Sequence, residues 1–593
     1  MCGIVGFTGN KNRYFLEKMN STIKHRGPDS EYFYETNILS FAMRRLAIID
    51  IENGHQPYFS QDKSVIAIFN GEIYNYKILK NELEKDNFSF LSDSDGEIIP
   101  NLYLKYGINF VHKINGMFAI ALYDKKINKL FLFRDRMGKK PLYYTTIKNK
   151  FYFASEIKSL LQIDFNFQID INSLINYLQL KHTSAPNTIY KEIKQLLPAS
   201  YLEYDLDNEK FHIKQYWNID FSTKLHKNVK YNIISLLEDA VKLRINCDVE
   251  YGAYLSGGLD SSLVTSIIVK KYSNSLKTFS LGYKDDFKNK QSDIFFARKL
   301  SKELGTKHYE YILDSKEVFD NLEKVLMAFD EPFGGTISTY FLSNLISKHV
   351  KVAISGDGSD ELFGSYLTHR LSTPMEYYLK YNTFLYDIPI YEKEIIKKIA
   401  SKNIFEWRNK LNVFNDNELK LLFNNSINLT NPYSKLKLTS KSMIDKCLEI
   451  DQKELLSNQI LPFIDRLSMA HSVEVRSPFL DYRLVEYVAK IPSYLKINKS
   501  INKYILKQIA SKYLKDDIIH RPKEGFVLPV YKWIEKDFLD IVIDTILNSK
   551  MIIDFNFNKK YIEYLLSIFK KEKKEHAKIW NLYSLAVWHK GIE

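Results

Sequence analysis

Apolar residues in the first part of the chain occur in short runs separated by turn signals. Examples are NGEIYN from Asn70 to Asn75, NGMFAIALYD around Gly116, and LFLFRDRMGKKPLYY from Leu130 to Tyr144. Runs of this length and density are typical of antiparallel strands. We therefore predict that residues 1–221 form stacked antiparallel sheets with flanking helices.

The pattern then changes to strand, loop and helix. YGAYL precedes SGGLDSS, and LKTFSLGY (276–283) and VKVAISGDGSDELFG (350–364) follow, before a largely helical C-terminal region. Such alternation predicts a parallel sheet with helices on both faces, which binds ligands at the carboxyl ends of its strands. A polar stretch at 220–228 and helical spacing from Ile233 to Leu243 place the second domain at 222–593.

Length and charge narrow the class of protein. A chain of 593 residues is too long for one hydrophobic core, and 45% hydrophobic with 26% charged residues is typical of a globular enzyme. The net charge is +13, but basic residues are interleaved with acidic ones, as in KKEKKEHAK at 570–578. We interpret that segment as a solvated helix face and expect no nucleic-acid partner.

Cysteine usage and hydropathy indicate the compartment. Cys2, Cys247 and Cys447 are scattered, without metal-ligand spacing or a paired framework. No signal-peptide pattern is present, and no apolar run approaches the roughly 20 residues that span a bilayer. We expect a cytoplasmic protein with no membrane partner.

The most informative segment is SGGLDSS, Ser256 to Ser262. Glycines and small hydroxyl residues at a strand-to-helix turn leave backbone N–H groups free at the positive end of a helix, where phosphates bind. The Walker A lysine is absent. The loop resembles the signature loop of the ATP pyrophosphatases, and the alternative is an ordinary tight turn.

Cys2 becomes the first residue once Met1 is removed. Its thiol then lies beside a free α-amine with a typical pKa of about 7.7 to 8.0, which can act as the base for that nucleophile. The alternative is that a cysteine stands at position two without any function.

Further motifs follow MCGIVGF in order: HRGPD from His25, RRLAIID from Arg44, NGEIYN, SDGE from Ser94, and RDRMGKKPLYY from Arg134. Together they resemble the glutaminase domain of the class II glutamine amidotransferases, which are N-terminal nucleophile hydrolases. A side-chain amide and an adjacent backbone N–H suit an oxyanion hole, an arginine suits the α-carboxylate of glutamine, and two carboxylates suit its α-ammonium. The resemblance assigns these roles to Asn70 and Gly71, to Arg45, and to Glu72 and Asp95, with the backbone of Leu46, Ile48 and Ile49 lining the pocket.

Each of these residues also has a plainer interpretation. Arg45 could form a surface salt bridge, and Asp95 could cap a helix that begins near Glu97. Asn70 and Gly71 could be the two central residues of a hairpin turn.

SGGLDSS, LKTFSLGY, VKVAISGDGSDELFG, DRLSMAHSVEVRSPFLD (465–481) and RPKEGF (521–526) resemble, in series, the ATP-dependent domain of the glutamine-hydrolysing asparagine synthetase family. The resemblance implies ATP as a substrate and Mg²⁺ held by Asp260 and Asp360. It makes Asp357 and Lys503 catalytic, with Lys523 a second cation. The implied ATP-binding residues are Leu255, Ser256, Gly257, Gly258, Asp260, Ser261, Ser262, Leu281, Ser355 and Gly356.

Some positions depart from the family pattern. Asp357 stands where some relatives have Glu, and Ser365 stands where many have a second glycine. Lys503 could instead be a surface lysine, and Asp360 and Glu361 could cap the helix that follows.

The resemblance implies that ammonia from glutamine amidates an adenylylated aspartate β-carboxylate to give asparagine, after crossing an internal apolar passage. It leaves a homodimer open. The nearest rival is an amidotransferase for another carboxylate, such as a sugar uronic acid or a peptide acid. Two others are a nucleotide sensor or nucleic-acid-binding protein without activity, and a β-lactam-forming relative, although the latter is expected to lack Cys2.

Overall fold

The structure is a computed structural model that describes residues 2–273, 275–284, 291–384, 387–521 and 528–592. Its strands are β1 (Cys2–Thr8), β2 (Ser30–Glu35), β3 (Leu39–Arg45), β4 (Tyr58–Phe59), β5 (Val65–Ile73), β6 (Gly116–Asp124), β7 (Lys129–Arg134), β8 (Tyr143–Ile147), β9 (Lys150–Ala154), β10 (Lys194–Gln195), β11 (Ser200–Asp205), β12 (Lys210–Gln215), β13 (Tyr251–Tyr254), β14 (Lys277–Tyr283), β15 (Lys307–Leu313), β16 (Val352–Ile354) and β17 (Glu474–Arg476).

The α-helices are α1 (Arg13–Ser21), α2 (Tyr76–Lys85), α3 (Ile98–Tyr106), α4 (Phe110–Lys113), α5 (Ile157–Leu160), α6 (Ile171–Leu180), α7 (Val229–Arg244), α8 (Leu259–Lys271), α9 (Gln291–Leu304), α10 (Ser315–Met327), α11 (Ser338–Ser347), α12 (Ser359–Phe363), α13 (Leu367–Tyr381), α14 (Ile390–Ile399), α15 (Ile404–Asn409), α16 (Asp416–Leu422), α17 (Met443–Ile450), α18 (Leu461–Met469), α19 (Tyr482–Ala489), α20 (Ser493–Lys496), α21 (Tyr504–Ala510), α22 (Asp516–Ile519), α23 (Val530–Trp533), α24 (Leu539–Asn548), α25 (Met551–Asp554), α26 (Lys559–Glu572) and α27 (His576–Ile592). Two π-helical segments span Asp451–Ile460 and Ile534–Phe538.

Two six-stranded antiparallel sheets form the N-terminal part, as the alternating pattern predicts. Their strand orders are β10-β8-β9-β1-β3-β2 and β12-β11-β7-β6-β5-β4. Because successive strand residues point to opposite faces, β1 sends Ile4 into the core between the sheets, while Val5 and Phe7 pack on the helical side. The alternation thus buries both faces of the strand that carries Cys2.

A five-stranded parallel sheet organises the second part, in the order β15-β14-β13-β16-β17. The chain runs outward from β13 through β14 to β15, and then returns to the other side of β13 for β16 and β17. The point where the strand order reverses is where open α/β sheets bind ligands. Here it lies between β13 and β16, next to SGGLDSS.

Residues 216–228 connect β12 to α7 and pack on the second part. The backbone N–H of Phe221 donates to Thr439 Oγ1 at 2.9 Å, and the indole N–H of Trp217 donates to Glu486 at 2.6 Å. The predicted domain boundary between 221 and 222 falls within this connection and stays a prediction.

The C-terminal region is largely helical, as predicted. The interpretation of 570–578 as one helix face was wrong, because α26 ends at Glu572 and α27 begins at His576. Lys573, in a left-handed conformation, ends α26. Among the described residues, no helix is both long and apolar enough to cross a bilayer.

Candidate active sites in the two domains

Cys2 begins the central strand β1 and is 6% exposed. Its backbone nitrogen donates to Asn70 Oδ1 at 3.1 Å. Its carbonyl accepts from Arg26 Nε at 3.2 Å, and Gln56 Nε2 lies 3.9 Å from its sulfur. The predicted nucleophile is therefore held at its nitrogen and its carbonyl, with a side-chain amide facing the thiol.

Asn70 and Gly71 lie within β5, which excludes the hairpin interpretation. Asn70 Oδ1 accepts from the Cys2 backbone N–H, whereas the buried Asn70 Nδ2 has no hydrogen-bond partner among the described residues. A buried donor without a partner is costly unless a ligand completes it. A Cβ at Gly71 would lie 2.0 Å from the Met117 carbonyl oxygen, so only glycine fits beside this donor.

Burial raises the pKa of the Cys2 thiol, while the Leu46 backbone N–H and Arg45 oppose the rise. The sulfur is therefore protonated at rest and needs a base to become the nucleophile. That requirement fits a free α-amine on Cys2. Met1, whose removal creates this amine, lies outside the described residues.

The predicted glutamine pocket follows β3. Leu46, Ile48 and Ile49 are buried in the loop after Arg45. The Arg45 guanidinium is no surface ion pair, because it donates to the carbonyls of Ile49, Asp50 and Ile51 at 3.1, 2.6 and 2.9 Å. Arg45 thus shapes this loop, and its contact with a substrate carboxylate stays a prediction.

Glu72 and Asp95 are both buried, and burial raises the pKa of each, that of Asp95 to about 6. Asp95 accepts from the Ile73 backbone N–H at 2.7 Å, so it ties β5 to the SDGE segment rather than capping a helix. Glu72 lies 3.0 Å from Arg476 Nη2, and Arg476 Nε bonds Glu474 at 2.6 Å. β17 of the second domain therefore reaches the carboxylates assigned to glutamine.

Sequence reasoning missed Gln56, Arg26 and Arg476 as contributors to this site. Arg26 lies in HRGPD and Arg476 in the VEVRSPFLD segment, but both are fully buried and their partners come from distant parts of the chain. Arg26 joins Glu156 at 2.8 Å and Asp465 of α18 at 2.8 Å. Gln56 is held by the backbone of Phe69, which no local pattern indicates.

SGGLDSS forms the turn between β13 and α8. Gly257 has φ +69, and a Cβ there would lie 2.8 Å from the Asp293 carbonyl oxygen, so the turn requires glycine. Ser256 Oγ lies 3.0 Å from Ser261 Oγ and accepts from the Gly258 backbone N–H at 3.3 Å. The Ser262 hydroxyl is fully buried.

The other predicted ATP residues lie at the ends of adjacent parallel strands. Leu255 follows β13 and donates from its backbone to the Phe279 carbonyl at 2.8 Å, and Leu281 lies in β14. Ser355 and Gly356 follow β16 on the other side, where a Cβ at Gly356 would lie 2.7 Å from the Ser261 nitrogen. The sheet thus brings these residues to one edge.

Arg521 contacts the same turn. Its Nη1 donates to the Gly257 carbonyl at 3.0 Å, and it forms an ion pair with Asp293. The rest of RPKEGF, including Lys523, lies outside the described residues.

Lys503 is 5% exposed, which excludes a surface lysine. Its Nζ lies 2.6 Å from Asp260 Oδ2 and 2.5 Å from Asp360 Oδ1, and these two carboxylates raise its pKa against the opposing effect of burial. Asp260 also accepts from Ser359 Oγ at 2.7 Å. Three positions that are far apart in sequence therefore meet in front of α8.

These contacts suit Mg²⁺, because two carboxylates already converge on one positive charge. Within the described ranges no three metal-binding side chains gather at one point. Mg²⁺ is usually held by one or two carboxylates together with substrate phosphates. The donor set therefore fits a metal that arrives with a nucleotide.

Asp357 lies beside these groups and is partly buried. Burial raises its pKa to about 6, helped by Asp360 and Asp260 and opposed by a hydrogen bond from Ser355. Ser355 Oγ in turn lies 3.0 Å from Ser477 Oγ, just after β17.

A cavity of about 20 Å³ lies between the two domains and is lined by Met117, Lys139, Lys140, Leu461, Ile464, Asp465, Ser468, Val475 and Ser477. This volume holds one water-sized molecule. The lining is mixed rather than wholly apolar. Lys140 Nζ lies 3.0 Å from Asp465, and Lys139 Nζ donates to the Leu480 carbonyl at 2.7 Å. Met117 pairs with Glu72 at one end, and Ser477 contacts Ser355 at the other.

Each of the two domains matches a known protein family. Residues 1–217 match the glutamine amidotransferase domain family, and residues 232–590 match the asparagine synthase family. Asparagine synthetase (glutamine-hydrolyzing) 1 of Bacillus subtilis strain 168 is 32% identical, over 99% of this chain and 96% of that protein. Numbers 3 and 2 of the same organism are 31% and 32% identical, over 93% and 89% of this chain and 92% and 72% of theirs.

The amidotransferase match and the paired antiparallel sheets confirm the predicted N-terminal nucleophile hydrolase sandwich. The synthase match, which covers more than half of the chain, confirms the predicted enzyme class, a ligase that uses ATP. The chain belongs to the glutamine-hydrolysing asparagine synthetase family.

Proposed function

We propose that this enzyme makes asparagine from aspartate, glutamine and ATP, with glutamate, AMP and pyrophosphate as the other products. The observation that carries the proposal is a small cavity lined by residues of both domains. Its lining includes Met117, which pairs with Glu72 in the sheet, and Ser477, which contacts Ser355. Two sites joined in this way can pass a small product from one to the other.

Glutamine hydrolysis begins when the free α-amine of Cys2 takes the thiol proton. The sulfur then attacks the side-chain carbonyl carbon of glutamine, and the oxyanion is stabilised by Asn70 Nδ2 and the Gly71 N–H. The carbon–nitrogen bond breaks, and ammonia leaves with the proton that the amine held. Water hydrolyses the thioester to glutamate and restores the thiol.

Aspartate is activated at the edge of the parallel sheet. A β-carboxylate oxygen bonds to the α-phosphorus of ATP as the bond to pyrophosphate breaks, which converts a poor leaving group into AMP. Lys503 neutralises charge on the departing pyrophosphate, and Asp260 and Asp360 would hold Mg²⁺, which would supply further neutralisation. Ammonia attacks the acyl carbon, AMP leaves, and Asp357 accepts the proton that the new amide nitrogen loses.

Enclosed transfer keeps the nitrogen reactive, because ammonia released into neutral water is mostly protonated and ammonium is not a nucleophile. The contact chain runs from Gly71 to Met117, across the cavity, and through Ser477 and Ser355 to Asp357. We propose that this route carries the ammonia.

Val475 lines the cavity, so Val475→Phe should block the route. We expect glutamine-driven synthesis to fall about tenfold or more while glutaminase activity and ammonia-driven synthesis persist, since an overfilled cavity cannot relax freely. Val475→Ala, which leaves the route open, is the matched control. An ammonia-scavenging enzyme that abolishes synthesis by the unmodified protein, while hydrolysis continues, would refute enclosed transfer.

The acceptor is tested by pyrophosphate release. We expect release with ATP and aspartate to exceed by about a hundredfold the release with uronic acids or peptide carboxylates, because a site built to bind aspartate leaves its polar groups unpaired with other acids. A stronger response to one of those acids would assign the enzyme to the alternative acceptor. We further propose that the enzyme acts in the cytoplasm, as a monomer or a homodimer.

A further inference from the structure

We propose that Ser365 and His369 act together as positioning residues that hold the carboxylate of Asp360 in the nucleotide site and that of its buried neighbour Glu361. The inference rests on the proposed role of that site in adenylylation. It concerns the position at which this chain carries a hydroxyl in the segment SGDGSDELFGS.

Ser365 and Tyr366 each place a hydroxyl on one of the two carboxylates. The Ser365 hydroxyl donates to Asp360 and the Tyr366 hydroxyl donates to Glu361. Asp360 then contacts the Lys503 ammonium at 2.5 Å. Hydrogen bonds from a hydroxyl to an ionised carboxylate are short and strong, so they fix the direction in which the carboxylate points.

His369 fixes the backbone that carries both hydroxyls. Its Nδ1 accepts from the backbone N–H groups of Ser365 and Tyr366 at 3.0 and 3.2 Å. Backbone N–H groups can only donate, so Nδ1 has no proton and the ring proton lies on Nε2. Nε2 faces Asp451 Oδ2 at 2.8 Å, and the side chains of both residues are almost completely buried.

Asp451 is suited to orient this ring. Burial alone would raise its pKa, but Arg408 and His369 lower it to about 2, so the carboxylate stays ionised. Asp451 begins the π-helical segment Asp451–Ile460, and the next residue, Gln452, donates to the Glu361 carbonyl at 2.8 Å. π-Helical turns occur frequently at functional sites. The π-helical turn thus contacts His369, which holds the backbone of Ser365 and Tyr366, and also the helix α12, which carries Asp360 and Glu361.

A simpler role is helix capping, because His369 is the third residue of α13 and accepts from the N-cap residue Tyr366. Capping alone would stabilise α13 and leave the nucleotide site unaffected. If His369 is a positioning residue, the hydrogen bonds that it accepts from the two backbone N–H groups affect the exchange rate by directing the Ser365 hydroxyl to Asp360. The two roles therefore differ in kinetics rather than in stability.

The test uses the full-length enzyme with Ser365→Ala, Ser365→Thr, His369→Leu and His369→Gln. We expect Ser365→Ala and His369→Leu to lower kcat for ATP–pyrophosphate exchange with aspartate about tenfold, as expected when a buried hydrogen bond to a carboxylate is lost. Glutaminase kcat/KM should stay unchanged. Thr keeps the hydroxyl and Gln can still accept from the backbone, so both should recover most of the exchange rate.

The double variant decides whether His369 acts through Ser365. In the Ser365→Ala background, His369→Leu should lower the exchange rate by a clearly smaller factor than it does alone, because the hydroxyl contact that His369 positions is already missing. Full additivity, or a lower melting temperature with unchanged exchange, would reduce His369 to a helix cap and overturn the proposal.

Failure of the proposed function gives a different result. The unmodified enzyme would then show no exchange with aspartate, and equilibrium binding of Mg-ATP to the same variants would decide the positioning role. Weaker binding of Mg-ATP by Ser365→Ala than by Ser365→Thr would support the role. Equal binding by the two would refute it.

Discussion

Cys2→Ala is expected to abolish glutamine-driven synthesis while leaving ammonia-driven synthesis within about twofold of the unmodified enzyme, since separated sites contribute nearly independently. Removing a nucleophile costs about a thousandfold or more, because no neighbouring group replaces the covalent step. Parallel assays with glutamine and with ammonium salts measure the two activities.

Cys247→Ala is the matched thiol control, because Cys247 is partly exposed. Intact-mass measurement after exposure to a glutamine-mimicking electrophile should show one adduct on the unmodified and Cys247→Ala proteins, and none on Cys2→Ala. The same measurement reports whether Met1 is absent. Glutamine hydrolysis that survives Cys2→Ala would remove the thioester from the proposed reaction.

Lys503→Met is expected to lower pyrophosphate release by about 100- to 1,000-fold, which is the usual cost of losing one group that stabilises developing charge. The loss also leaves Asp260 and Asp360 facing each other without the cation that both contact. Glutaminase activity should persist, because Cys2 and its neighbours lie in the other domain. Pyrophosphate release with ATP and aspartate, beside glutamate formation from glutamine, measures both.

Two further variants make this result specific. Lys503→Arg keeps the charge, but its larger planar group should recover only part of the rate. Lys507→Met removes a lysine one turn further along α21 and should be nearly neutral. If Lys507→Met matched Lys503→Met, loss of general positive charge would explain both, and the assigned role of Lys503 would fail.

Local chemistry made several parts of this protein predictable. The turn at SGGLDSS follows from two glycines between an apolar strand and a helix, and Gly257 indeed has a positive φ that side chains disfavour. The alternation of apolar residues correctly predicted the antiparallel sheets, and the strand–helix alternation predicted the parallel one. Such features depend on neighbours within a few residues, so a single sequence contains them.

Arg26 and Arg476 were missed in the sequence for the same reason. Arg26 reaches Asp465, 439 positions away, and Arg476 reaches Glu72 across the domain boundary. Neither arginine is set apart by local spacing, since an arginine in a strand or loop is most often exposed. Which of them become buried depends on how the two domains pack, and the mixed lining of the cavity has the same origin.

The amino-acid sequence by itself determined the two chemistries: a thiol at position two, a glycine-rich phosphate loop, and the order of strands and helices that carries them. Tertiary structure alone decided that Lys503 meets Asp260 and Asp360, that Arg476 of β17 reaches Glu72, and that a small cavity lies between the domains. The physical reason is the distance along the chain over which each effect acts. Propensity and hydrophobic period act over a few residues, whereas a buried ion pair forms only where packing brings distant charges together and excludes water from both.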